Sequence, residues 1–169
     1  WDRVGREPSG TPFNSLVQLE YEKGIPRNPF INAGALVIAD IILSHIEDPQ
    51  QSYLALLRQQ AGSRSIKINK SVFKAETPTG HRNRALAHLL KDFNNLDNPV
   101  EDVLDFYFFQ CSVEMNCQEL ASATLYLANS GESSHAGRVI SARQAKRINA
   151  VMLTCGTYDA AGDFAYRVG

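Results

Sequence analysis

The amino-acid sequence predicts a mainly α-helical fold. Apolar residues recur at helical spacing through most of the chain, and the breaks between those stretches are short and rich in Gly, Pro, Asn and Asp. Almost no strand pattern appears before the last six residues. A chain of 169 residues is long enough for one domain with a buried core. The short connections imply antiparallel helical neighbours.

Residues 1–28 carry Gly5, Pro8, Gly10, Pro12, Gly24 and Pro26, so they read as a loop-rich leading segment in which Leu16, Val17 and Leu19 form a short extended piece. A helix then starts with Asn28 as its cap and Pro29 at its first position. The apolar run from Phe30 to Ile46 makes it central and buried on most faces, and Asp48-Pro49 stops it. Residues 50–61 repeat the pattern up to Gly62. Ile66 to Ala75 reads as a short amphipathic piece, Thr77-Pro78-Thr79-Gly80 as a turn, and Thr79 as the cap of a helix from Gly80 to Phe93. Helices are expected over Val100–Val113, Gln118–Ala128 and Ala142–Thr154, the last capped by Ser141 and ended by Gly156.

Composition excludes several function classes. The net charge of -1 and the lack of a basic block leave no electrostatic footprint for nucleic acid or an anionic membrane surface. The longest apolar stretch, Ala33 to Leu43, is interrupted by Asp40 and falls short of the ~20 residues that span a bilayer. The three cysteines, Cys111, Cys117 and Cys155, form no C-x-x-C pair, which disfavours a disulfide framework or a zinc site. They read as buried free thiols in a reducing, cytoplasmic compartment. The chain opens on Trp1-Asp2-Arg3 with no initiator Met, and it is expected to be an internal piece of a longer chain.

The candidate chemistry is polar and scattered. His45, His81, His88 and His135 form no metal-binding pattern. Ser71-Val72-Phe73-Lys74 matches the Ser-x-x-Lys spacing that places a hydroxyl one helical turn from an amine, but the pattern fixes only two positions, and Lys67, Lys70 and Lys74 read as one solvated face. Asn32, Glu76, Asn83, Tyr107 and Tyr158 are poorly explained by packing. Each alone reads as a cap or a core residue. Together they suit a small zwitterion: a carboxylate for an ammonium, amides and phenols for a carboxylate and an amide.

Longer motifs name a family. Val4-Gly5-Arg6-Glu7-Pro8-Ser9-Gly10, Pro12-Phe13-Asn14 and Pro29-Phe30-Ile31-Asn32-Ala33-Gly34-Ala35 resemble the serine-dependent glutaminases, bacterial type. The resemblance continues through Glu76, Gly80, Arg82-Asn83, Asp105-Phe106-Tyr107-Phe108 and Gln110-Cys111-Ser112. It ends with Cys155-Gly156-Thr157-Tyr158 and Phe164-Ala165-Tyr166-Arg167-Val168-Gly169. It implies hydrolysis of L-glutamine to L-glutamate and ammonia through a serine acyl-enzyme, with no metal or organic cofactor, in a homo-oligomer. It also implies a fold similar to β-lactamases and penicillin-binding proteins, an α/β sheet domain beside an all-helical one. Residues 1–28 would then lead in, 29–156 would be the helical domain, and 157–169 the start of the return to the sheet.

By the same resemblance Glu76 holds the α-ammonium of glutamine, Asn32 the α-carboxylate end, and Asn83 completes the polar ring. Tyr107 lines the pocket, and Tyr158 lies near the nucleophile as the catalytic candidate for proton shuttling. Pro78 and Gly80 make Glu76 and Asn83 converge across a turn, with a helix N-terminus close by. The nucleophilic Ser-x-x-Lys is expected upstream of Trp1, because Ser71-x-x-Lys74 stands in the wrong place, and residues 1–169 alone are expected to be inactive. The rival readings are a non-catalytic helical module that binds an amino acid or a protein partner, and a penicillin-recognising acyl transferase. The Asn-Ala-Gly-Ala motif at Asn32 argues against the latter.

Overall fold

The computed structural model describes residues 1–168; Gly169, which closes the last motif and the 157–169 segment, lies outside the described residues. In chain order the helices are α1 (Leu16–Tyr21), α2 (Asn32–His45), α3 (Pro49–Ala61), α4 (Lys70–Thr79), α5 (His81–Asp92), α6 (Val100–Cys111), α7 (Cys117–Ala128), α8 (Ala142–Cys155) and α9 (Ala161–Val168). A 3-10 turn at Tyr158–Ala160 precedes α9. The mainly helical expectation holds. Among the described residues strand is confined to two-residue pairs: β1 (Lys67–Ile68) runs antiparallel to β2 (Val113–Glu114), and β3 (Glu132–Ser133) to β4 (Gly137–Arg138).

The core forms where α2, α5 and α6 pack on one another. Leu36, Val37, Leu86, Leu90, Val103 and Phe106 are essentially inaccessible there. Each such side chain contributes about 1.5–3 kcal/mol of burial. α2 is the central helix the sequence predicted, and Gly34 shows how tightly its start is packed. A Cβ at Gly34 would lie 1.9 Å from the Asn28 carbonyl oxygen.

Asp40, which seemed only to interrupt an apolar run, is fully buried in α2. Arg3 Nη2 pairs with it at 2.5 Å. The amides of Asp97 and Asn98 and the Asn98 side chain donate to it as well. Burial alone would raise this carboxyl's pKa; the Asp97 and Asn98 amides, Arg3 and the Asn98 side chain outweigh burial and lower it. The hub ties the start of the chain and the loop after α5 to the central helix.

Several local expectations are corrected. Leu16–Tyr21 is helix, not an extended piece, because Ser15 Oγ accepts from the Gln18 amide and caps it. Asn28 does not cap α2; its Oδ1 accepts from the amides of Phe30 and Ile31 and closes the turn before it, and α2 starts four residues later at Asn32. Asp48-Pro49 opens α3 with Asp48 as cap and Pro49 inside the first turn. Gly62 ends α3 at φ 63° as expected.

The stretch Lys70–Thr79 is one helix, with Pro78 in its last turn where few hydrogen bonds remain to be lost. Thr79 therefore caps nothing: its hydroxyl donates back to Ala75 O at 2.7 Å. Lys67 stands in β1, not on the helix face with Lys70 and Lys74. Cys111 and Cys117 are exposed, and only Cys155 is a buried thiol. The described part of the last six residues belongs to helix α9, not to a strand. No helix is long and apolar enough to cross a membrane among the described residues.

Candidate functional site

Asn32 is the first residue of α2. Its amide donates to Phe13 O at 2.9 Å, which satisfies one of the helix's otherwise orphaned donors. Its Nδ2 donates to Asn83 Oδ1 at 2.9 Å. Asn83 stands in the first turn of α5, and no side chain caps that turn. Uncapped amides and the positive end of the helix dipole favour an anion beside Asn83.

Glu76 lies near the end of α4. α4 is held at its start by Asn69, whose Oδ1 accepts from the amides of Ser71 and Val72 and whose own amide donates to Ser112 O at 2.8 Å. Phe73 meets Phe109 edge-on at 6.5 Å, which lays α4 along α6. At its end α4 turns into α5 at Gly80. A Cβ there would fall 2.5 Å from the Phe108 ring, so the residue must be small for the junction to rest on α6. The expected break between Glu76 and Asn83 is present, but it lies at Gly80 alone, because Pro78 falls inside α4.

Tyr107 is half-buried on α6. Burial first, then the Cys111 thiol one helical turn on, then the charges of Glu76 and Tyr158, push its phenol pKa well above the usual range. Burial also raises the Cys111 thiol although part of that residue reaches solvent; the Tyr107 hydroxyl works against the rise and Glu76 adds to it. Tyr158 opens the 3-10 turn at φ 54°, a left-handed conformation costly for a bulky residue, and such strain persists where the surroundings enforce it. Its ring lies 5.3 Å from that of Phe13.

The predicted residues thus fall into two groups. Asn32 and Asn83 are hydrogen-bonded, and Tyr107 feels both Glu76 and Tyr158. Phe13 connects the groups, with its carbonyl on Asn32 and its ring on Tyr158. All five are half-buried. None of them lines the cavity at Trp1, Arg3 and Ile38 or the polar pocket around Ser63, Glu119 and His135. Ser71 and Lys74 are exposed on α4. Among the described residues no group of three or more His, Cys, Asp and Glu could hold a metal ion.

Four neighbours escaped the sequence reading. Phe13 and Cys111 stood only in the family motifs and the cysteine count, and Arg84 stood in neither. Thr157, next to Tyr158, has a buried hydroxyl with no hydrogen-bond partner among the described residues. Only the family motifs around Phe13, Cys111 and Thr157 signalled them.

The family model described as Glutaminase matches residues 1–169. The chain belongs to the glutaminase family. A glutaminase of Streptomyces coelicolor is 56% identical over 169 residues, covering 100% of this chain and 55% of the relative. One from Pseudoalteromonas translucida is 54% identical over 170 residues, with the same coverage. The chain therefore spans about half the length of the curated glutaminases it matches. A crystal structure of a probable glutaminase from Bacillus subtilis superposes with a TM-score of 0.90 at 42% identity, covering 99% of this chain and 55% of that one. A structure of Mglu in its glutamate form superposes at 0.86 with 30% identity, covering 99% and 39%.

Proposed function

We propose that this chain is the substrate-binding part of an enzyme that hydrolyses L-glutamine to L-glutamate and ammonia. The observation that carries the reading is the glutaminase family match along residues 1–169. The Asn32–Asn83 bond and the link through Phe13 from Asn32 to Tyr158 support a shared pocket. The relative crystallised in its glutamate form supports glutamate as product.

In this pocket Glu76 pairs with the α-ammonium, and Asn32 binds the α-carboxylate end beside the uncapped start of α5. Asn83 closes the polar ring and Tyr107 lines it. The nucleophile is a serine of a Ser-x-x-Lys pair outside these residues. Its oxygen attacks the side-chain amide carbon, its proton passes to the lysine amine, and ammonia leaves after taking a proton. Water then adds to the acyl-enzyme and releases glutamate and the serine. Tyr158 lies near that serine and carries protons to and from the leaving group. No metal or organic cofactor takes part, and the enzyme works as a cytoplasmic homo-oligomer. Residues 1–28 lead into the helical domain at 29–156, and 157–169 begin the return to the sheet.

The test is ammonia release from L-glutamine by the full-length protein, with Glu76→Ala beside it. The reading requires turnover that this substitution abolishes. Turnover indifferent to Glu76, or none, refutes it.

A further inference from the structure

We infer that Arg84 is a positioning residue of the glutamine pocket, holding α4, which carries Glu76, at a fixed angle to α5, which carries Asn83. The inference rests on the function proposed above.

The argument starts from a broken helix. α4 ends at Thr79 and α5 begins at His81, so the carbonyls of the last turn of α4 lose their usual amide partners. The Gly80 amide reaches Glu76 O at 2.9 Å. Among the described residues no backbone amide from α5 reaches the next carbonyl, Thr77 O. Arg84 takes that place: its Nη1 donates to Thr77 O at 2.6 Å. The bond runs from the neighbour of Asn83 to the neighbour of Glu76, so it spans the junction between two pocket residues.

The guanidinium is held from a third side by α6. Its carbon lies 5.9 Å from the centre of the Phe108 ring, the ring that also backs Gly80. Nη2 stands 3.6 Å from Glu101, whose side chain is 68% exposed, so this contact is the weakest of the three. A planar fork that stacks on a ring while donating to a carbonyl is a task for arginine; a lysine ammonium keeps the charge but not the stacked, fixed geometry. The charge also has a purpose. Glu76 sits near the negative end of the α4 dipole, where a carboxylate is disfavoured and no basic residue of α4 stands, and the Arg84 guanidinium bound to Thr77 O brings a cation to that end.

The test uses the full-length enzyme with Arg84→Gln, Arg84→Lys and, as a control, Glu101→Gln. Steady-state glutamine kinetics are measured together with inhibition by glutamate and by glutarate, which lacks the α-ammonium. Arg84→Gln is expected to raise KM about tenfold or more with kcat within about threefold. It should also erode the preference for glutamate over glutarate by a similar factor, because Glu76 is displaced. Arg84→Lys should recover part of both effects, and Glu101→Gln should match wild type. A general loosening of the fold would weaken the two inhibitors alike. If Arg84→Gln does not fold, Arg84→Lys is read by the same criteria. Unchanged KM, or equal weakening of both inhibitors, overturns the inference alone. Failure of the wild-type enzyme to release ammonia overturns the functional reading and this inference with it.

Discussion

Asn32 Nδ2 donates to Asn83 Oδ1 across 2.9 Å, joining helices whose residues stand 51 positions apart. The bond fixes which atoms remain for a ligand. With Asn83 Oδ1 accepting one Asn32 N–H, the Nδ2 of Asn83 and the second N–H of Asn32 are the donors left over, and Asn32 Oδ1 is a free acceptor.

The first prediction follows from that inventory. Asn83→Asp keeps an acceptor for Asn32 but replaces the remaining donor with negative charge. The full-length protein should keep its stability to within about 1 kcal/mol, as read from urea denaturation. Its kcat/KM for glutamine should fall about a hundredfold or more, through repulsion of the substrate carboxylate. Retained kinetics in a folded Asn83→Asp protein would remove Asn83 from the pocket.

The Asp40 hub predicts acid sensitivity. The folded pKa of this carboxyl lies below its ordinary 3.8, so folding favours the ionised form. The stabilisation is fully present above the unfolded pKa and is lost as pH falls through the lower folded value. Asp40→Ala should destabilise the protein at neutral pH by about 3–5 kcal/mol, because Arg3 and two backbone amides lose a buried acceptor. The substitution should also flatten the dependence of stability on pH below about 4. Denaturant midpoints between neutral and acid pH check both; equal acid slopes in the two proteins would contradict the hub's role.

Much of the architecture was legible because periodicity and punctuation agreed. α2 is apolar along most of its length, α8 opens on a Ser141–Gln144 capping box, and Gly62 marks the end of α3. Where punctuation carries two meanings, the sequence misled. Asp48-Pro49 stops one helix as readily as it starts another, and Pro78 reads as a turn unless it is known to fall in a last turn. Asp40 was opaque because its partners, Arg3, Asp97 and Asn98, lie far away in sequence. The same distance hides Phe13 between Asn32 and Tyr158. Asn32, Glu76, Asn83, Tyr107 and Tyr158 were singled out by chemical oddity and family motifs; Arg84 has neither, since the carbonyl it satisfies is visible only in three dimensions.

Gly34 predicts a packing failure. A methyl at this position would meet the Asn28 carbonyl oxygen at 1.9 Å, and that oxygen belongs to backbone that cannot swing aside like a side chain. Gly34→Ala should lower stability by about 1–3 kcal/mol or more by forcing apart α2 and the turn before it. A chemical denaturation curve measures this. An unchanged midpoint would mean that the turn yields freely and does not hold Asn32.

The Ser71-x-x-Lys74 match predicts nothing chemical. Ser71 and Lys74 are exposed, and the Ser71 amide is occupied by the Asn69 cap. Ser71 stands five residues before Glu76, about 7.5 Å along the helix axis. In the full-length enzyme Ser71→Ala should leave glutamine turnover unchanged, and residues 1–169 alone should release no ammonia. Loss of turnover on Ser71→Ala, without loss of fold, would make this serine the nucleophile.

Tyr107 gives the last prediction, which separates donor from base. Burial, followed by the thiol of Cys111 and the charges of Glu76 and Tyr158, raises its phenol pKa above the ordinary 10.0. Folding therefore favours the protonated phenol. That contribution is complete below the unfolded pKa and is lost as pH rises through the folded one. At neutral pH the group can donate a hydrogen bond but is no phenolate base. In an ultraviolet titration of the full-length protein, Tyr107→Phe should match wild type up to about pH 10 and lose signal only above it. It should lower kcat/KM without moving the alkaline limb of the pH–rate profile, because no limb in the working range belongs to Tyr107. A tyrosinate signal near pH 8 that vanishes in Tyr107→Phe would mean that burial does not hold this phenol protonated, and its role as a donor only would have to be given up.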